Sequence, residues 1–399
     1  MNEQHIVILG AGFAGMMAAL RLSRRLPKDA ATITLVNATG DFVERTRLHQ
    51  FAAGQHPKTR QITEMLRGTR VKFVQGRAMA IQPNHKQLAL ETASGMQSLG
   101  YDTLIYALGS RTDRERIVGL SNATTLDAAD VLRLADALPT IAAKHGRVLV
   151  IGGGLTGIEA ATEIAERYPA AQVALATRGT LGNDLSAPGA AHVRKVCDRL
   201  HIRVHDGAAI ARIESDCAIT AAGERVPFDV CINCAGFVAP ALAREAGLAV
   251  NHAGQLVVDA MLRSTSHPEI YGMGDAAAFE EDAQMPLRMA CATAIPMAAH
   301  AADNLVAQLT GGAPSPFAFG YVIRCISLGR HEGLVQFVDA CDVPQPRVVT
   351  GGRAVWIKEM ILRYVTSSLD AENRFGLYRT PRTTVAQTVI QPKLVLDQS

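Results

Sequence analysis

One supersecondary plan is written twice into this chain, and it leaves few folds open. The first copy opens on an apolar strand, His5 to Leu9. Gly10, Gly12 and Gly15 follow in G-x-G-x-x-G spacing, then an Ala/Met/Leu-rich helix to about Leu26 and a strand from Thr32 to Val36. The second copy opens on Arg147 to Ile151 and passes Gly152, Gly154 and Gly157. It runs down a helix from Ile158 to Arg167 and returns through Gln172 to Ala176. Short alternating strands with turn signals follow each unit, over Val71 to Thr92 and Ile202 to Thr220. Each copy closes on an aspartate-led strand that ends at glycine, Asp102 to Gly109 and Asp229 to Gly236, with identical spacing.

The glycines have separate physical duties. The first permits a tight turn, the second lets backbone N–H groups approach a pyrophosphate, and the third allows close helix–sheet packing. The helix start adds free N–H donors and partial positive charge. A lone motif of this kind is weak, but two copies with the same downstream meander exclude coincidence. The expected fold class is α/β: two Rossmann-like dinucleotide-binding domains and a smaller C-terminal α+β region.

Bulk properties narrow the class further. A chain of 399 residues predicts two or three domains, and a net charge of +3 without a basic stripe excludes a nucleic-acid binder. Seven scattered cysteines point to a reducing compartment, the cytoplasm, rather than secretion. The apolar run His5 to Leu20 lacks a basic leader, and its glycines give a strand–turn–helix rhythm rather than a signal peptide. No apolar stretch reaches the roughly 18 residues of a membrane span, so the expectation is a soluble protein, at most peripheral on the inner face of a membrane. No metal is expected.

The residues quoted so far, with a third segment from Thr265 to Ala277, resemble the two-dinucleotide-binding-domain flavoprotein reductases (the pyridine nucleotide-disulfide oxidoreductase fold) over about Met1 to Gly312. Within them, Asp41 to Gly54 and a second fingerprint ending at Gly157 to Glu159 are similar to the type II NADH dehydrogenase-like branch. The resemblance implies FAD at the first glycine motif and NAD(P)H at the second. The FAD domain is then discontinuous, residues 1–112 and 237–312, with the NAD(P)H domain at 113–236 and a C-terminal interface or lid region at 313–399.

By the same resemblance, Gly10, Gly12, Phe13, Ala14 and Gly15 hold the FAD pyrophosphate, and Asp275 after Gly274 bonds a ribityl hydroxyl. Asn37, Arg47, Ala78, Ala107, Gly109 and Ile295 join them as FAD-binding residues. Gly152, Gly154, Gly157, Arg178 and Gly236 fall to the nicotinamide dinucleotide. Two positions depart from the pattern. Asn37 stands where an acidic residue usually binds the adenosine ribose, although its amide still donates and accepts. Arg178 stands where an acidic residue would favour NADH; an arginine there either accommodates the 2′-phosphate of NADPH or is a solvated surface residue, and the coenzyme expectation leans to NADPH.

The flavin carries the difficult chemistry in such enzymes, and the protein positions and polarises it. A helix from about Ala294-Ile295-Pro296 to Gly311-Gly312 is expected to aim its start at the flavin. The branch carries glutamines near the quinone there; alignment puts Pro296 and Met297 in their place. His49, Glu159 and Cys291 are the catalytic candidates, each with a plain packing alternative. No redox cysteine pair occupies either family position, and Cys231 and Cys234 lie on one predicted strand, facing apart. The cysteine of sulfide-oxidising relatives is missing as well. Near the C-terminus, Ala354, Ile357, Ile361 and Val365 recur at helical spacing, widened by Trp356, Met360 and Tyr364, with Lys358, Glu359 and Arg363 off the stripe. Flavin cover, homodimer contact and membrane surface stay open for it. The expected function is transfer from NAD(P)H through FAD to a quinone or other small acceptor. A tailoring flavoenzyme acting on a specialised metabolite and a nucleotide-binding redox sensor are the alternatives.

Overall fold

In the computed structural model, which describes residues 4–55, 59–280 and 287–379, both glycine motifs sit where a buried strand turns into a helix. Strand β1 (Gln4–Leu9), helix α1 (Phe13–Arg25) and strand β2 (Ala31–Asn37) form the first unit. Strand β3 (Arg147–Ile151), helix α2 (Leu155–Arg167) and strand β4 (Gln172–Ala176) form the second. The first parallel sheet runs Ile270–Gly272, Thr103–Tyr106, β1, β2, Val71–Gln75; the second runs Thr124–Thr125, Val230–Asn233, β3, β4, Arg203–His205. Each is followed by a three-stranded antiparallel sheet. The side chains of Ile6 to Leu9 are wholly buried, as a parallel strand covered on both faces requires.

The repeat holds at the level of single hydrogen bonds. Asp102 accepts from the His5 N–H at 2.7 Å, and Asp229 accepts from the Arg147 N–H at 2.7 Å. Gly10 N–H donates to Val36 O at 2.8 Å, and Gly152 N–H to Ala176 O at 2.8 Å. Each leading aspartate therefore pins the start of the central strand, and each first glycine pins its end. Arg111–Thr112 and Phe237–Val238 pair antiparallel, so the chain leaves and re-enters the first unit side by side.

Helix α3 (Cys291–Thr310) begins earlier than its sequence suggests. Ala290 is extended and accepts from Thr293 and Ala294, which starts the helix at Cys291. Pro296 lies inside the second turn, where it removes one N–H without stopping the helix. Ala298, Ala299, Ala301 and Ala302 are buried small side chains that let α1 pack along α3.

Residues 323–350 form three antiparallel strands, and helix α4 (Gly352–Phe375) packs over them. The inner face of α4 differs from the predicted stripe. Ala354, Lys358, Leu362, Val365, Leu369 and Glu372 are buried, whereas Trp356, Met360 and Tyr364 are exposed. A lysine faces inward because a carboxylate waits there, described below. At the far end, Arg21 of α1 pairs with Asp303 of α3 at 2.7 Å and Glu372 of α4 at 3.0 Å, tying three helices together.

Candidate functional site

The glycines of each motif divide their work by position. A Cβ on Gly15 would meet Gly10 O at 1.8 Å, and one on Gly157 would meet Gly152 O at 1.9 Å. Gly10 has φ +97° and its Cβ would lie 2.5 Å from Ala107 O. By contrast Gly12 and Gly154 have no heavy atom within 4 Å of the Cβ position. These two are the N-caps of α1 and α2, and neither end receives a side-chain cap. Two bare helix starts thus offer unpaired N–H groups to an anion.

A cavity of about 370 Å³ extends from Gly12, Phe13 and Ala14 to the start of α3. Ala107, Gly109, Gly274 and Asp275 line its middle. Ser110 Oγ donates to Asp275 Oδ2 at 2.8 Å. Burial pushes the Asp275 carboxyl above the usual carboxylate range, against the pull of Ser110 and of Arg45. The residues fit FAD: an open helix start for its pyrophosphate, a desolvated carboxyl for a sugar hydroxyl, and a second helix start at the far end.

Several expected contacts lie elsewhere. Arg47 faces α4, where it bonds Glu359 at 3.0 Å, and it also pairs with its chain neighbour Glu44 at 3.1 Å; Arg45 lines the cavity instead. Asn37 is occupied by its own fold, accepting from the Ala11 N–H at 3.0 Å and donating to Thr39 O at 2.9 Å. Ala78, Ile295 and Gly236 are not on the cavity wall, and Pro296 and Met297 are buried behind it. The first turn of α3 reaches the cavity through Cys291, Ala292 and Ala294. Arg178 is exposed two residues beyond β4.

On the wall of this cavity three elements bring titratable side chains together. Glu159 of α2 forms a close ion pair with Lys358 Nζ of α4 and accepts from the Ser327 N–H at 3.0 Å. His49 Nδ1 lies 3.7 Å from the other Glu159 oxygen. Burial lowers the His49 pKa to about 4, outweighing the attraction of Glu159, so the ring is neutral near pH 7. Burial works to raise Glu159, but the Lys358 ammonium and the Ser327 N–H hold it below the usual carboxylate range. Lys358 is therefore the carboxylate's counter-ion. His49 Nε2 has no partner among the described residues, and His49 lines the cavity.

Burial pushes the thiols of Cys291 and Cys325, both on the cavity wall, up to about 11. Cys231 and Cys234 pack into different core clusters, as their spacing implies. Cys234 lies one residue beyond its strand, however, and touches the cavity. Lys358, Arg45, Ser110, Arg288, Arg324 and Cys325 are wall residues that sequence reasoning missed. For Lys358 a signal exists: it sits four residues after Ala354 and four before Leu362.

Two βαβ units with open helix starts, joined by one cavity, define a two-dinucleotide flavoprotein oxidoreductase using FAD and NAD(P)H. The chain matches the family described as pyridine nucleotide-disulphide oxidoreductase over residues 4–304, and it belongs to that family. It is 26% identical over 330 residues to a NADH dehydrogenase-like protein of Mycobacterium tuberculosis, covering 76% of this chain and 80% of the relative. The type II NADH:quinone oxidoreductase of Staphylococcus haemolyticus is 24% identical over 404 aligned positions, 90% of this chain and 94% of the relative. The structure of the sulfide:quinone oxidoreductase from Aquifex aeolicus superposes with a TM-score of 0.77 at 20% identity, covering 93% of this chain and 92% of that one. At that identity the likeness is one of fold. Among the described residues no helix is long and apolar enough to cross a membrane.

Proposed function

We propose that this chain oxidises NAD(P)H and reduces a quinone or similar small acceptor, with Glu159, Lys358 and His49 managing the proton that the overall reaction consumes. FAD, when bound, supplies two-electron transfer between the nicotinamide and the acceptor. NAD(P)H gives two electrons and one proton as hydride; a quinone becoming a quinol takes two electrons and two protons. The second proton has to come through the protein. The observation that carries the reading is the trio itself, a largely buried carboxylate, ammonium and neutral imidazole on the wall of the cavity that links both dinucleotide folds. Lys358 is paired with Glu159, and the buried His49 Nε2 has no hydrogen-bond partner among the described residues. The type II NADH:quinone oxidoreductase relative supports the choice of acceptor.

Anaerobic mixing of the yellow protein with NADPH or NADH, followed by quinone, tests it. Flavin bleaching by nicotinamide and recovery on adding 1,4-naphthoquinone are expected, with about two electrons consumed per FAD. Four-electron uptake would reveal a thiol pair, and no recovery with any quinone would refute the acceptor class. On the FAD side, Asp275→Ala should remove a charge-assisted contact of roughly 1.5–3 kcal/mol and weaken FAD binding about tenfold or more. Flavin lost on ultrafiltration measures this.

For the coenzyme, the exposed Arg178 makes no hydrogen bond or ion pair among the described residues, which leaves its fork available to the 2′-phosphate of NADPH. Arg178→Glu is expected to move the kcat/KM ratio from NADPH toward NADH by about 1–3 kcal/mol. An unchanged ratio would make Arg178 an ordinary surface residue.

A further inference from the structure

A second hollow adjoins the main cavity, and Leu155, Arg288 and Arg324 line both. The two arginines are differently employed. Arg324 is spent on the protein: Nε donates to Asp342 Oδ1 at 3.0 Å, Nη1 to Asp184 O at 2.7 Å and Nη2 to Asp342 O at 2.6 Å. Arg288 Nε comes within 2.7 Å of Asp342 Oδ2 but out of line for a hydrogen bond. Its Nη2 reaches Ile323 O at 3.3 Å, and its Nη1 has no protein acceptor among the described residues.

The group is nevertheless held in place. The guanidinium carbon lies 4.3 Å from the centroid of the Tyr321 ring, and the Tyr321 hydroxyl accepts from the Arg288 N–H at 2.7 Å. Among the described residues two guanidiniums thus share the single carboxylate of Asp342, on side chains only 21%, 13% and 10% exposed. A buried cation short of a counter-ion is costly, and a fixed fork with spare donors is the form of a waiting anion site. The phosphates of the nicotinamide dinucleotide already have the open start of α2 at Gly154.

We infer that Arg288 anchors an anionic oxygen group, a carboxylate or its equivalent, on the electron acceptor, so that the preferred substrate is an acidic quinone-like molecule. This rests on the acceptor reading given above. The test compares 1,4-naphthoquinone-2-sulfonate with neutral 1,4-naphthoquinone on the FAD-loaded enzyme. Arg288→Gln should lower the sulfonate-to-neutral ratio of kcat/KM about tenfold or more, chiefly through KM. Should that variant not fold, Arg288→Lys keeps the charge without the fork and should still lower the ratio about threefold. An unchanged ratio in the folded variant overturns the proposal. So does a tenfold weaker NADPH dependence of flavin reduction with the ratio intact, which would assign the anion to the dinucleotide. If the wild type reduces neither quinone, the parent reading fails separately. Binding of 2-naphthalenesulfonate, followed by its perturbation of the flavin spectrum, then decides: about tenfold weakening in Arg288→Gln upholds the site, and equal affinity removes it.

Discussion

Gly15→Ala is expected to yield no folded flavoprotein, whereas Gly12→Ala should fold and fail to keep FAD. The two substitutions add the same methyl group six and three residues after the end of β1. At Gly15 the new carbon would stand 1.8 Å from a backbone carbonyl oxygen that is itself fixed by the turn at Gly10. Ordinary overpacking costs roughly 1–3 kcal/mol because side chains yield; a backbone carbonyl at the hinge of β1 and α1 cannot, so the cost lies above that range. At Gly12 the methyl meets nothing in the protein and projects into the space at the uncapped helix start. The harm there falls on the ligand. The second copy supplies the control: Gly154→Ala should retain flavin yet bind NAD(P)H about a hundredfold more weakly, some 2.8 kcal/mol. Soluble yield, thermal melting and bound-flavin absorbance report all three. A yellow Gly15→Ala protein that melts with the wild type would show that the hinge yields.

The same contrast explains how much of the molecule its sequence discloses. Strand bounds in both units are legible because a fully buried parallel strand leaves a continuous apolar run, as in Val148–Ile151 before Gly152. The start of α3 is not legible in that way. Pro296 usually marks a first turn, and here it sits inside the helix because Ala290 accepts the earlier N–H groups. Nor is the inner face of α4, where periodicity alone assigns Trp356, Met360 and Tyr364 to an apolar side and excludes Lys358. The charge on Lys358 is tolerable inside because Glu159, 199 residues away in the chain, meets it there. Arg47 and Arg45 show the same limit at short range. They are two residues apart on one turn: Arg47 is drawn to Glu359 on α4 and to Glu44, whereas Arg45 donates to Ser110 O and stays on the cavity wall. Local pattern finds elements; long-range charge pairing decides which side chains reach the site.

Lys358→Met is the substitution expected to cost most among the charged residues of the cavity, about 3–5 kcal/mol, because it strands Glu159 without a counter-ion. In the wild type His49 is neutral near pH 7, so Lys358 is the cation that faces Glu159. Glu159→Gln alone should be similarly harmful, and the double variant should cost clearly less than the sum, since it removes both charges together. The pH dependence has a definite sign. In the wild type, Glu159 is held below its ordinary value, so its contribution is present above the unfolded pKa and lost as pH falls through the folded one. His49, lowered from 6.5 to about 4, acts in the same direction: the unfolded chain takes up its proton first, and stability declines as pH drops from about 6.5 toward 4. In Lys358→Met the cavity gains a proton more readily in acid, because burial raises Glu159 with only the Ser327 N–H and His49 to oppose it, or because His49 loses the repulsion of the ammonium. Either uptake favours the fold in acid. The melting temperature of the FAD-loaded variant should therefore lie about 5 °C or more below the wild type at pH 8, with the gap narrowing toward pH 5. A constant gap would mean that Lys358 contributes packing alone, and the charge assignment at the site would fall with it.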